Sequence, residues 1–221
     1  EARAEGTSFR GARMFSTVLS SALLAGADLE GCSFSFCVLD ETNLRAARLR
    51  RAKIADCLFE RAVLFEADLT EAEIARSVLT QCDLDHAIFD GAVLLRASLL
   101  ASRGRARFRS ARGEEAVFMN AALDGSDFTL SVLPGALFTQ ASVKAALFRG
   151  ANLKGARFYR ADLDDADFSF SNLYGADLRK AAIDRAKFTR ASLFEAVLLG
   201  ARGRGADFSG ANLLRCVTGA A

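Results

Sequence analysis

Ala151-Asn152-Leu153, Ala161-Asp162-Leu163, Ala166-Asp167-Phe168, Ala176-Asp177-Leu178, Ala206-Asp207-Phe208 and Ala211-Asn212-Leu213 are one phrase repeated. In each, a small residue is followed by Asp or Asn, then Leu or Phe, then two variable positions. Counting in fives through 136–213 keeps this A-(D/N)-(L/F)-x-x phrase in step. Neither the 3.6-residue period of a helix nor the two-residue period of a strand produces such a repeat.

The count extends outward from that stretch to nearly the whole chain. With the Leu or Phe of each repeat called its centre, nineteen centres run from Phe9 to Leu99, and all nineteen are apolar. Twenty-two more run from Phe108 to Leu213, and only Gly113 and Gly203 depart from the rule. Two residues before every centre stands Ala, Ser, Thr or Cys. The physical solution is a square coil with four short extended sides and a turn at each corner. Centres and small residues fill the inside, and each layer buries its neighbour's face. Four repeats per turn predict about ten coils, and roughly 4.8 Å per layer makes a rod on the order of 50 Å long.

The A-(D/N)-(L/F)-x-x phrase resembles the pentapeptide-repeat family. The resemblance implies an all-β fold, a right-handed quadrilateral parallel β-helix, here one solenoid over residues 1–221. Spacing of twenty residues agrees: Phe89 is followed by Phe108, Phe128, Phe148, Phe168, Phe188 and Phe208, one ring per coil on one side. Pro134-Gly135 falls on the two variable positions, where a type II turn takes Pro and then Gly. One fault interrupts the count. Leu99 to Phe108 is nine residues rather than ten, which predicts a register break near 100–107, at a corner close to Arg105.

Bulk properties exclude several classes. With 29 basic and 27 acidic residues among 221, the net charge of +2 implies no strong attraction to nucleic acid. No apolar run approaches the roughly 20 residues of a membrane span, and no secretory signal is visible. The only histidine, His86, stands by Asp83 and Asp85 at a corner, where side chains diverge, so it reads as a surface residue rather than a metal ligand. Cys32, Cys37, Cys57, Cys82 and Cys216 all occupy the small inward position, as compact buried thiols, although Cys37 and Cys57 stack in adjacent coils. An odd cysteine count without metal-ligand spacing points to a reducing, bacterial cytoplasmic setting, with export by a specialised system also open. No base is paired with a nucleophile, so the chain reads as a non-enzyme without cofactor, metal or small-molecule substrate.

The surface carries the functional expectations. Residues just before the centres point outward, and on the first face Asp28, Arg48 and Asp68, then Asp167, Lys187 and Asp207, predict ion ladders. The third face is different: Val18, Val38, Leu58, Val78, Val117 and Leu137 form an outward apolar column, as expected of a partner-binding face. β-propensity alone would also place Val there. Arg103, Arg105, Arg107, Arg109 and Arg112 cluster at the fault. They read either as an anion- or partner-binding patch, or as solvated arginines paired with Glu114, Glu115 and Asp127. The Arg103-Gly104-Arg105 triplet recurs as Arg202-Gly203-Arg204 on the same face five coils on.

Glu1 to Gly6 and Thr218 to Ala221 are too short for caps. The ends therefore predict either a homodimer joined end to end, as the resemblance allows, or flanking domains of a longer protein, which a start at Glu1 rather than Met favours. The expected function is a protein-protein interaction scaffold, the repeat domain of a larger bacterial protein of secretion-adaptor or effector type, with its partner unidentified. The alternative is a DNA mimic that binds gyrase, which similarity to the quinolone-resistance members implies. The near balance of charge argues against a continuous acidic stripe.

Overall fold

The computed structural model describes residues 2–219 and is a rod of stacked square coils; Glu1, Ala220 and Ala221 lie outside the described residues. One repeat, Ala27 to Gly31, shows how the phrase folds. Ala27 N–H closes the preceding turn onto the Leu24 carbonyl at 3.0 Å. Asp28 N–H donates to Thr7 in the coil before, while Leu29 and Gly31 donate to Arg48 and Arg50 in the coil after. That leaves the N–H of Glu30, and the Asp28 carboxylate accepts it at 3.2 Å. All five backbone donors are satisfied, as a solvent-poor wall requires. The Asp or Asn of the repeat is thus an Asx cap on its own corner. The same bond recurs from Thr129 to Asp127, Ser169 to Asp167, Arg179 to Asp177 and Leu214 to Asn212.

The last residue of each repeat carries a positive φ. Among the described residues 29 non-glycine residues do so, with φ between 47 and 62°, as does Gly135 after Pro134 at 68°. Where the corner also keeps its turn bond this is the type II turn, and in it a side chain costs on the order of 1 kcal/mol. No isolated repeat would hold that geometry. Bonds to the coils on either side maintain it, so stability is shared between neighbours.

Parallel bridges connect successive coils from Arg3↔Leu23 to Val197↔Val217. Four faces result, with first-face centres such as Leu29, second-face Phe34, third-face Leu39 and fourth-face Leu44. On the second face the early coils extend further, as strands β1 (Arg13–Phe15), β2 (Ser33–Ser35), β3 (Lys53–Ala55) and β4 (Glu73–Ala75), paired in parallel in that order. After β2 and β3 the next N–H finds a side chain in the coil above instead of a turn carbonyl. Cys37 N–H donates to Cys57 Sγ at 3.4 Å, and Cys57 N–H to Ser77 Oγ at 3.1 Å. From Ala97 the turn bond returns, onto Leu94 at 3.2 Å.

The interior is continuous and apolar, and centres such as Leu29, Leu69, Phe128 and Leu153 are fully buried. The first-face rings stack 4.7–5.2 Å apart from Phe89 to Phe208. A second column, Phe118, Phe138 and Phe158, stacks at 4.7 and 4.9 Å on the opposite wall and meets the first edge to face at 5.6–5.9 Å. At both ends of the rod the outermost core residues, Phe9 and Met14 at one and Phe208 and Cys216 at the other, are only partly covered.

Candidate functional surfaces

The third-face column stands as a stack in register: Val18, Val38, Leu58, Val78, Ser98, Val117 and Leu137 bridge one another in succession and point outward. Val18 is 70% exposed and Leu58 44%, and the others are half-buried by their neighbours. Beside Val18 and Val38 lies a feature the column did not announce. Phe15 and Phe36, 71% and 57% exposed, meet edge to face at 5.6 Å. Both occupy variable corner positions, where most residues are polar, so phenylalanine in those slots was the available signal. Further along, Gly135, Gly155 and Gly175 leave the adjoining corner without side chains, and a groove floored by Val117 and Leu137 runs from Arg96 to Arg157.

Beyond that groove the third face changes character. Arg157 and Asp177 replace the aliphatic residues, and the only two tyrosines flank them. Arg160, Arg179 and Lys180 lie 5.2–5.9 Å from the Tyr159 ring. Tyr174 stacks on Phe194 and donates to Glu195 at 2.9 Å.

Ion pairs follow a different rule from the expected first-face ladders. Arg48 approaches Asp28 at 3.7 Å, but Asp68 takes Arg50, Asp167 takes Arg149, and Asp207 accepts from Thr189 rather than from Lys187. The physical reason is reach: the residue after a centre leans back over the outward position of the next coil. Other ladders run up corners, between Arg61 and Glu41, Arg76 and Asp56, and Arg185 and Asp165, at 2.6–2.7 Å. Their hydrogen bonds hold the Asp56 and Asp165 carboxyls below the usual carboxylate range. Solvent screens exposed pairs of this kind, so they favour register more than stability.

At the fault, bridges count twenty residues up to Asp83↔Arg103 and nineteen from Ile88↔Arg107, so the missing residue belongs to the corner between them. Gly104 occupies a centre with φ 114°, and a Cβ there would stand 2.4 Å from the Asp85 nitrogen. The shortened corner still satisfies its donors: Gly104 N–H bonds Ala122, Arg105 N–H bonds Asp85 Oδ1, and Ala106 N–H bonds the buried Ser126 Oγ at 3.0 Å. Gly203 likewise sinks against Ile183, where a Cβ would meet Cγ1 at 2.6 Å. The recurring Arg-Gly-Arg triplet therefore marks repeats whose backbone is drawn inward.

Four of the five arginines are held by neighbours, and Arg112 makes no ion pair among the described residues. Arg103 lies 3.8 Å from Asp83, Arg107 pairs with Asp90, and Arg109 pairs with Asp127 at 2.5 Å. Glu115 is taken by Arg96 instead, and Arg105 bonds the Gly125 carbonyl. Burial pushes the Asp127 carboxyl up, but Thr129 and Arg109 outweigh it and hold it below the usual range.

Elsewhere the chemistry is sparse. His86 lies 3.7 Å from Asp85 and edge-on to Phe65. Among the described residues no three His, Cys, Asp or Glu side chains converge on a metal-sized site, and no helix is long and apolar enough to cross a membrane. The five cysteines are unbridged, and burial pushes Cys57 up to about 11 and Cys82 to about 12, far from thiolate reactivity.

No curated protein matches the chain. Among solved structures it is similar to HetL, a pentapeptide repeat protein involved in heterocyst differentiation regulation in the cyanobacterium Nostoc sp. strain PCC 7120, with 27% identity over 96% of this chain and 89% of that one, at a TM-score of 0.46. Trypsin-treated QnrB1, a plasmid-mediated fluoroquinolone resistance protein, matches at 16% identity over 99% of this chain and 91% of that one, with a TM-score of 0.36. A thylakoid-lumen pentapeptide repeat protein of Arabidopsis thaliana matches at 25% identity over 60% of this chain and 64% of that one, with a TM-score of 0.27. The family profile for pentapeptide repeats, in eight copies, matches residues 17–54, 42–81, 141–179 and 186–216, more than half of the sequence. The chain belongs to the pentapeptide-repeat family.

Proposed function

We propose that this rod is a non-catalytic scaffold that docks a protein partner along the N-terminal half of its third face. The observation that carries the reading is the exposed Phe15–Phe36 pair continuing into Val18, Val38, Leu58 and Val78. Aromatic anchors beside an aliphatic strip are the usual energetic centre of a protein interface. The setting we favour is the repeat domain of a larger bacterial protein acting in the cytoplasm or exported from it. A DNA-mimic role finds no support in the charge layout, because Arg and Lys interleave with the acids along the corner carrying Asp124, Lys144, Asp164, Asp184 and Arg204.

The test is a lysate pull-down with the chain and with the Val38→Asp, Val78→Asp double variant, after circular dichroism has shown both folded. A partner captured by the first and lost by the second supports the docking face. Identical captures from both would sink it.

A further inference from the structure

The single missing residue makes a cavity. Along the corner between the fourth and first faces, the outermost position is His86 in one coil, absent in the next, and Gly125 in the one after. Two successive coils therefore present no side chain there, and a half-open notch of about 340 Å³ results. Its lining includes His86, Arg105, Arg107, Arg109 and Asp127, with Ile88 at one end and Leu147 three coils away at the other.

The three guanidinium groups are tethered alike. Arg105 Nε donates to the Gly125 carbonyl at 3.0 Å, Arg107 Nε to Asp90 at 3.1 Å, and Arg109 Nε to Asp127 at 2.5 Å. A Cβ at Gly125 would stand 3.4 Å from Arg105 Nε, so the glycine lets that side chain lie across the corner. Each tether uses the inner nitrogen. The forked ends of Arg105 and Arg109 keep donors to spare, and Arg107 keeps Nη1. Asp90 and Asp127 each hold one of the three guanidinium groups, and Asp85, whose Oδ1 takes the Arg105 N–H, lies 3.7 Å from His86. Guanidinium groups held in place lose little entropy on meeting an oxyanion and match a phosphoryl group's geometry.

We propose that this notch is a binding site for a phosphate monoester, with the phosphoryl group on the arginine forks and the attached group against Ile88. It lies away from the third face and does not depend on the docking role.

The chain's only histidine lines the notch, so its ring signals report occupancy directly. The experiment titrates the intact chain with phenyl phosphate, following the His86 imidazole by NMR and the affinity by calorimetry. Saturable shifts of His86 are expected, with inorganic phosphate binding more weakly for lack of an apolar part. Two variants locate the site: Arg105→Gln, and insertion of one glutamine after Arg105, which restores the five-residue count and places a side chain over the notch while keeping every charge. Both should weaken binding by about tenfold or more, while Arg190→Gln, outside the notch, should not. A phosphotyrosine pentapeptide is the second arm: binding at least as tight as phenyl phosphate assigns the monoester to a modified chain, and weaker binding assigns it to a free small molecule. Unmoved His86 signals, or an affinity equal to the parent's in either Arg105→Gln or the insertion variant, would overturn the proposal.

Discussion

The two halves of the rod solve one backbone problem with different side chains. Below the fault, coils such as Leu64-Leu69-Ile74-Leu79 are aliphatic, the second-face corner runs extended as β1–β4, and Cys57 and Ser77 supply acceptors that turn carbonyls would otherwise provide. Above it, Phe118, Phe138 and Phe158 oppose the first-face rings, alanines replace the thiols, and the turn bonds that return just below the fault at Leu94 are present after Leu133 and Leu153. The coil between them, Gly104-Phe108-Gly113-Phe118, explains how they join. Two glycines on opposite walls draw the backbone inward and make room for two phenylalanines in edge contact on the others. Interiors pack close to constant density, so the volume added by the first opposed ring pair is removed at their sides.

The comparison can be broken most directly in the core. Phe128→Ala removes two stacked and two edge contacts and should cost about 3–5 kcal/mol, with Leu69→Ala in the aliphatic half cheaper by about 1 kcal/mol. Equal costs in urea unfolding would mean that ring contacts add nothing beyond burial. At the joint, Gly104→Ala forces a Cβ into the Asp85 backbone and should cost roughly 2 kcal/mol or more. An unchanged melting temperature would deny the inward-drawn corner.

Two serines sharpen the point further, because both are buried at the same step of the repeat. Ser126→Ala orphans the Ala106 N–H and should cost about 1–2 kcal/mol. Ser171 Oγ has no partner, so Ser171→Ala should stay within about 0.5 kcal/mol of the parent or exceed it in stability. Similar losses for both would show that hydroxyl partners are irrelevant here. Between these lies an acid effect. Asp127 titrates below the ordinary range when folded, so its contribution is present above the unfolded value near about 4 and is lost as pH falls through the folded one. Asp127→Asn should flatten the acid limb of stability against pH, and an unaltered limb would rule out that coupling.

Much of this was legible before any coordinates. The five-residue period carries the coil, the inward and outward positions, the glycine corners and the column from Phe89 to Phe208, since all follow from counting. The third-face valines fell where the count put them. What counting missed depends on neighbours twenty residues away. Ser126 looks like any other small residue until its coil is stacked on Ala106. The second-wall rings were in the sequence at Phe118, Phe138 and Phe158, but their edge contacts require the rod's width. Long arginine side chains choose partners by reach, so the pairings of Arg50, Arg107 and Arg149 could not be read from columns alone.

The bridges that tie each coil to the next span twenty residues, or nineteen at the fault, wherever they occur. Closing a loop costs entropy that depends on its length, so every coil added to this rod faces the same closure cost as the last. Assembly can therefore proceed as a zipper from whichever coil forms first, at a speed set by the repeat rather than by the length of the chain. A nine-residue step changes that loop by one part in twenty, and the zipper can cross the fault almost without noticing it.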